Sequence, residues 1–123
     1  MNLSNEEKIT YLANLFAVAR ADGSVSPNET QSIEEAQKRI GARKTALRKA
    51  ETAVEADYVA TPVGPFSAKI ANLEDMVLVS LVDGALDQSE KPVVLEFARR
   101  VGVTNDQLKL ILTQQFTVSH KSP

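Results

Sequence analysis

Apolar residues recur at spacings of three and four positions, the period of an α-helix with one buried face. The first such segment predicts a helix over about residues 5–21 and carries Ile9, Leu12, Leu15, Phe16 and Ala19. The preceding Ser4-Asn5-Glu6-Glu7 has the form of a capping box, in which a serine and a glutamate three positions later bond each other's backbone N–H groups. Gly23 follows and favours the left-handed conformation that ends helices.

The same signals predict five further helices. Ser26-Pro27-Asn28-Glu29 opens the second as another capping box, and Gly41 ends it. The stretch from about 43 to 57 is rich in Ala, Arg, Lys and Glu, whose helix propensity predicts the third. The last three helices are predicted to start at Ser67, at Asp87-Gln88-Ser89-Glu90 and at Thr104-Asn105-Asp106-Gln107. Residues from about 117 onward are expected to form a loose tail.

The chain repeats part of itself at a spacing of 61 residues. Asp22-Gly23 and Glu29 return as Asp83-Gly84 and Glu90. The same shift aligns Glu35 with Glu96, Arg39 with Arg100, Gly41 with Gly102 and Leu47 with Leu108. Self-similarity at a fixed period marks a repeated supersecondary unit. We therefore predict an all-α fold of six to seven helices, arranged as two three-helix halves related by a pseudo-twofold axis.

The halves are predicted at about residues 5–57 and 66–116, within a single domain over residues 1–123. A chain of this length can bury about two thirds of the surface that it exposes when unfolded. Residues 58–66 contain two prolines and a glycine, which predicts a break in the helical pattern. We interpret this break as an ordered connector, because neither half alone carries a large core.

Composition narrows the classes of function. The chain has no cysteine, and its single histidine, His120, stands near its end, so thiolate sites and histidine-ligated metal sites are not expected. The first residues lack the pattern of a signal peptide. The longest apolar runs, such as those at 15–19 and 76–79, are far shorter than the roughly 20 residues that span a bilayer. We expect a cytoplasmic protein without membrane insertion. The net charge of −2 gives no general attraction to nucleic acid.

The two copies resemble the tellurite-resistance B (TerB-like) family. The residues that carry the resemblance are 15–23, Val25, Ser26, Glu29 and 40–41, with 81–86, Glu90 and 101–102 in the second copy. It spans residues 5–116 and extends to a domain at the N-terminus of a membrane-anchored J-domain co-chaperone. The resemblance implies duplicated helical halves, a role in bacterial stress or metal-oxyanion resistance, and acidic positions that bind divalent metal. It also implies a protein partner, which could be membrane-associated.

The repeated acids Asp22, Glu29, Asp83 and Glu90 are the candidate site, and three hypotheses remain open: a metal site, structural acids, and an acidic patch that binds a partner. If they converge where the two corners meet, two to four carboxylates with waters would suit Ca²⁺ or Mg²⁺. Alternatively the acids are structural. The two glutamates occupy the third position of capping boxes, and the two aspartates can accept hydrogen bonds from loop N–H groups. The chain would then be a protein-interaction adaptor without metal.

A basic cluster spans the second and third helices and consists of Lys38, Arg39, Arg43, Lys44, Arg48 and Lys49. Such a cluster could contact phosphate, nucleic acid or an acidic partner. Three glutamates lie beside it, at positions 34, 35 and 51, and no aromatic residues interleave with it. The sequence favours a solvated face. No candidate base stands near a plausible nucleophile, and no glycine-rich phosphate loop occurs, so we do not expect an enzyme.

Overall fold

The computed structural model describes residues 2–55, 57–84 and 88–119, and over these ranges the chain is helical without any strand. Six α-helices follow one another as α1 (Asn5–Ala19), α2 (Pro27–Arg39), α3 (Lys44–Ala53), α4 (Phe66–Leu81), α5 (Lys91–Val101) and α6 (Asn105–Ser119). A turn of 3₁₀-helix at Arg20–Asp22 carries α1 into the first corner. The all-α prediction is confirmed, and the number of described helices agrees with it.

Capping boxes start the first two helices as predicted. The Ser4 hydroxyl accepts from the Glu7 N–H, and the Glu7 carboxylate accepts from the Ser4 N–H at 2.9 Å. Ser26 and Glu29 repeat this arrangement at α2, with Pro27 in the first turn. Each box satisfies two N–H groups that a helix start leaves without an acceptor.

Three predicted boundaries are wrong. The third helix ends at Ala53 rather than near 57, because the buried Val54 is extended and its C=O accepts from the Arg20 guanidinium at 2.8 Å. The fourth begins at Phe66, one residue before its predicted start at Ser67, with Pro65 at the N-cap. The sixth continues to Ser119, so residues 117–119 are helical and not a loose tail.

The start of the fifth helix also differs from the prediction. α5 begins at Lys91, so Glu90 is its N-cap residue and not the third helical residue of a capping box. Asp87, the predicted cap, lies outside the described residues. Glu90 is nonetheless buried, with 3% of its surface exposed. The end of α5 is as predicted, with Gly102 at φ +91°, in the left-handed region.

The core forms where α1 and α4 pack against each other. Its largest fully buried apolar side chains include Tyr11, Leu12, Leu15, Leu73, Met76 and Val77 from these two helices. α2 adds Ile33 and α5 adds Phe97, both without exposed surface. The apolar stripe predicted for the first helix therefore faces the core, and the apolar residues of α4 face it from the other side. None of the described helices has the length and apolar content needed to cross a membrane.

Helix pairings in one half recur in the other. α1 packs against α2 and α3, as α4 packs against α5 and α6. Each central helix also contacts the second helix of the opposite half, α4 with α2 and α1 with α5. These pairings place the end of α4 beside the start of α2, where the second copy's corner meets the first copy's helix. The pseudo-twofold axis itself stays a prediction.

Candidate functional site

The first corner holds Asp22 on the surface. α1 ends, the 3₁₀ turn follows, and Gly23 reverses the chain at φ +102°, a conformation that other residues rarely adopt. One Asp22 carboxylate oxygen, Oδ1, accepts from the Ser24 backbone N–H at 3.2 Å. This is the local turn bond by which aspartate stabilises a loop.

Glu29 lies almost completely inside the fold, with 4% of its surface exposed. Its Oε1 accepts from the Ser26 N–H at 2.9 Å, and its own N–H donates to the Ser26 hydroxyl at 3.1 Å. A buried carboxylate needs such partners, because losing water without them costs several kcal/mol, of order 2–7 even for a neutral polar group. The capping role predicted for Glu29 is therefore present.

Asp83 joins the two copies of the repeat. Its Oδ2 accepts from the Ser26 hydroxyl at 2.6 Å, and its Oδ1 accepts from the Asn28 side-chain amide at 3.0 Å. The Ser26 hydroxyl therefore donates to Asp83 while it accepts from the Glu29 N–H, which uses its single proton and one lone pair. Two of the four repeated acids, one from each copy, thus meet through one serine.

Asp22 is not joined to this group by any described hydrogen bond. The described bond of Asp22 stays within its own loop, and Glu90 is buried at the start of α5. Over residues 2–55, 57–84 and 88–119 there is no group of three or more His, Cys, Asp or Glu placed to hold a metal ion. Asp87, the counterpart of Ser26, falls outside these ranges.

A second polar group lies between α1 and α4, and the sequence analysis missed it. The Tyr11 hydroxyl donates to Asp75 Oδ2, and the Arg39 guanidinium donates to Asp75 Oδ1 at 2.7 Å. Tyr11 and Asp75 are buried, whereas about half of the Arg39 side chain is exposed. Burial, reinforced by the Asp75 carboxylate, raises the pKa of Tyr11 well above its ordinary value.

One turn away, Asn14 forms the neutral counterpart of this group. Its amide donates to Asn72 Oδ1 at 2.7 Å and to the Thr61 C=O at 2.9 Å. Its own oxygen accepts from the Tyr58 hydroxyl and the Thr61 N–H, both at 3.0 Å. Asn14 therefore fixes the connector to α1 and α4. No buried side-chain polar atom in the described part of the chain lacks a hydrogen-bond partner.

The 61-residue shift of the repeat maps each of these two polar groups onto the other. Tyr11 corresponds to Asn72 and Asn14 corresponds to Asp75, each 61 residues apart. The contacts Tyr11–Asp75 and Asn14–Asn72 are therefore the same crossing used twice, as in a symmetric interface. We call these four residues, together with Arg39, the polar joint. A sequence signal existed, since all four helix residues are polar within otherwise apolar stripes.

A wide groove of about 840 Å³ opens beside the first corner. Arg20, Ser24, Glu51, Glu55 and Tyr58 contribute polar atoms to its lining. The Arg20 guanidinium already donates to the Val54 C=O, and the Tyr58 hydroxyl already donates to Asn14. This groove can hold a polar molecule.

Comparison with known proteins matches part of the chain to a family. Residues 1–52 match a family model described as Tellurite resistance protein TerB. The matched segment covers α1, the first corner, α2 and nearly all of α3. No significant match was found among curated proteins or among solved structures. The TerB-like resemblance is therefore confirmed over the first half, and its extension to the second copy stays a prediction.

Proposed function

We propose that this TerB-like chain is a non-catalytic domain that binds a protein partner. The observation that carries the proposal is the distribution of large apolar side chains that remain exposed. Among the described residues these are Val59, Phe66, Leu95, Leu110, Phe116 and Val118. All of them belong to the connector or the second half. Concentrations of exposed apolar surface are typical of sites where proteins associate.

α6 supplies the strongest part of this surface. Leu110 and Val118 are 59% and 56% exposed, and their spacing of eight residues places them on one face of the helix. Phe116, at 49% exposed, also lies near the end of α6, but it is about 160° from Val118 around the helix axis and so belongs to another side of the helix. A protein with an apolar patch of its own would gain by covering this face, since burying apolar area contributes roughly 25 cal/mol per Å².

The hydrogen bonds of the acids support a domain that does not catalyse. Asp83 and Glu29 are held by Ser26, and Asp22 is held by its own loop. Tyr11 and Asp75, the buried pair whose chemistry is most unusual, face each other inside the core. These groups serve packing and helix ends, so the proposal assigns them no reaction.

The test is photo-crosslinking in cells that express the chain at its natural level. A photoreactive residue replaces Leu110 in one version and the exposed Glu34 of α2 in a matched version. We expect a discrete adduct from the first position only, and its loss when Val118→Lys is added. Identical adducts from both positions, or none from either, would contradict a partner on α6.

The second candidate function is binding of a hard divalent cation at the acidic corners. One observation favours it: Asp83, Ser26 and Asn28 bring three oxygen-bearing side chains together on the surface. Oxygen ligands of this kind suit Ca²⁺ and Mg²⁺. Under this proposal Asp22, Glu29, Asp83 and Glu90 would be the acids that supply the negative charge.

Calorimetric titration with Ca²⁺ and Mg²⁺ separates the two candidates. Metal binding predicts saturable heat below millimolar concentration, and its loss in the Asp22→Asn/Asp83→Asn variant. The partner-binding proposal predicts no heat from either protein. Circular dichroism of the variant shows whether its helices are intact, so that loss of binding is not confused with unfolding.

The name of the matched family supports a third, broader proposal, that the chain contributes to tellurite or related stress resistance. A strain lacking the chain should then grow less well than its parent on tellurite. Return of the wild-type chain should restore growth, and the Leu110→Lys/Val118→Lys variant should not. Equal growth of parent and deletion strains would exclude this role.

A further inference from the structure

A smaller cavity of about 340 Å³ lies in the first half, where the starts of α1 and α3 meet the turn after α2. Its described lining consists of Asn5, Lys8, Ile9, Gly41, Arg43, Thr45, Ala46 and Lys49. Three of these side chains are cationic, and no carboxylate is among them. The cavity is therefore strongly positive, although the whole chain carries a net charge of −2.

The three cations are not neutralised within the described part of the fold. Its ion pairs join Arg39 to Asp75, and Arg99 and Arg100 to Glu96. Lys8 donates to the Gly41 C=O at 3.3 Å, a neutral acceptor. Neither Arg43 nor Lys49 has a side-chain hydrogen bond or ion pair in these ranges. Positive charges gathered around a cavity repel one another, and an anion between them would remove this cost.

Backbone groups add to the same potential. Arg43 is the N-cap residue of α3, and no side chain caps this helix. The N–H groups of Thr45 and Ala46 belong to its first turn, and both residues line the cavity. N–H groups at a helix start are donors for anions. They supplement the cations here, and the inference depends on the cavity and its three charged side chains.

The second copy of the repeat shows that the fold does not require this arrangement. Arg43 corresponds to Thr104, whose hydroxyl accepts from the Gln107 N–H at 3.2 Å, while Gln107 Oε1 accepts from the Thr104 N–H at 2.8 Å. Lys49 corresponds to Leu110, and Thr45 corresponds to Asp106. In the second copy, α6 therefore starts with a capping box and carries Asp106 in its first turn. The open, basic version occurs only in the first copy.

We propose that this cavity binds the phosphate group of a small molecule or lipid headgroup, through Lys8, Arg43 and Lys49. Arg43 can form two parallel hydrogen bonds to one phosphate, and the lysines supply point charges. A volume of about 340 Å³ falls in the range of ligand pockets, so it can also hold part of the molecule that carries the phosphate. This site goes beyond the proposed function, because it lies in the first half and needs no protein partner.

The test is a titration of the isotope-labelled chain with inorganic phosphate, followed by amide NMR shifts and repeated with chloride at equal ionic strength. We expect saturable shifts at Thr45 and Ala46 with phosphate only. Arg43→Ala/Lys49→Ala should weaken binding by about tenfold or more, since it removes two charge-assisted contacts. The control Lys38→Ala/Arg48→Ala removes the same charge from exposed positions outside the cavity and should change affinity by less than about twofold.

Vesicles distinguish the two sources of phosphate. Sedimentation with vesicles of phosphatidic acid and phosphatidylcholine that depends on Arg43 and Lys49 would assign the site to a lipid headgroup. Phosphate binding without such sedimentation would assign it to a soluble molecule. Equal weakening by both double variants, or shifts as large with chloride as with phosphate, would overturn the proposal. Circular dichroism should show that both variants keep their helices.

Discussion

The two copies of the repeat place most of their helices at equivalent positions, but they expose side chains of different chemistry there. In the first copy, α3 starts without a side-chain cap beside a basic cavity. In the second copy, α6 starts with a Thr104–Gln107 capping box and exposes Leu110. Equivalent helices thus pack in the same pairs and, except for α5, begin at equivalent positions, whereas the side chains at equivalent surface positions differ in chemistry.

Inside the fold the copies differ in a more limited way. In the polar joint, the Asp75 carboxylate that accepts from Tyr11 also forms an ion pair with Arg39. The equivalent Asn14–Asn72 contact is neutral and holds the connector. Of the equivalent positions 14 and 75, only position 75 therefore carries a charged side chain, and Arg39 beside it balances the charge. Mutations that exchange residues between copies test whether this difference matters.

The largest effect is expected when the charge is placed on the wrong side. Asn14→Asp copies the residue at position 75 but faces the Thr61 C=O and the Asn72 oxygen, without a cation. A buried charge that has lost its partner costs roughly 3–5 kcal/mol. The reverse exchange, Asp75→Asn, should cost about 1–3 kcal/mol, since the half-exposed Arg39 can turn to water. Urea unfolding followed by circular dichroism measures both, and equal costs would mean that the two sides are interchangeable.

Tyr11→Phe should cost about 1–3 kcal/mol at neutral pH, because Asp75 Oδ2 loses its donor. The pKa of Tyr11 lies above its ordinary value of 10.0, raised by burial and by Asp75. Above about pH 10 the unfolded chain loses this proton and the folded chain keeps it, so the free energy of unfolding falls as pH rises. The variant should show a shallower fall. Tyr58→Phe is the comparison, because burial alone also raises the pKa of Tyr58. It should flatten the fall less than Tyr11→Phe, which also removes the effect of Asp75, and equal flattening by the two variants would contradict a contribution from Asp75.

Removing the shared serine should cost more than removing an ordinary cap. Ser26→Ala removes the hydroxyl that accepts from the Glu29 N–H and donates to Asp83, and it should lower the free energy of unfolding by about 1–2 kcal/mol. Thr104→Ala removes only a capping box and should cost about 0.5–1.5 kcal/mol. In a double-mutant cycle Ser26 and Asp83 should be coupled by about 0.5 kcal/mol or more. A cycle that shows additivity would mean that the bond between the copies contributes no stability.

The smallest expected effect is a gain. Arg43→Thr/Ala46→Gln gives α3 the capping box that α6 already has, at the equivalent positions. We expect stabilisation by about 0.5–1 kcal/mol, measured by thermal or urea unfolding. The same variant should bind inorganic phosphate more weakly, as it removes one cation and occupies the free N–H groups. Added stability with unchanged phosphate affinity would mean that Arg43 and the free N–H groups of α3 do not contribute to phosphate binding.

Local signals predicted much of this fold. The Ser4 and Ser26 capping boxes were read from four residues each, because both partners lie within one turn. The end of α3 could not be read in this way. Residues 54–57 favour helix by composition, but burial of Val54 and its bond to Arg20 hold the chain extended at Val54. Packing between distant segments overrides propensity in this case.

The candidate sites show the same limit. The four repeated acids were found from the repeat, but the link from Asp83 to Ser26 joins residues 57 positions apart. Lys8 was not grouped with the basic cluster, since only the folded chain brings α1 beside Arg43 and Lys49. The polar joint could have been predicted. Comparing Tyr11 with Asn72, and Asn14 with Asp75, shows polar residues at equivalent positions of two apolar stripes.

The polar joint shows how two halves within one chain differ from two identical chains that meet at the same contacts. Two identical chains meeting at this crossing would be obliged to place the same residues at both contacts, so a charge introduced at one would appear at the other. Here residues 58–65 connect the halves covalently, and each contact is specified separately. Asp75 can thus be acidic opposite Tyr11 while Asn14 stays neutral opposite Asn72. In one continuous chain the two contacts can therefore differ, and only one of them must accommodate an ion.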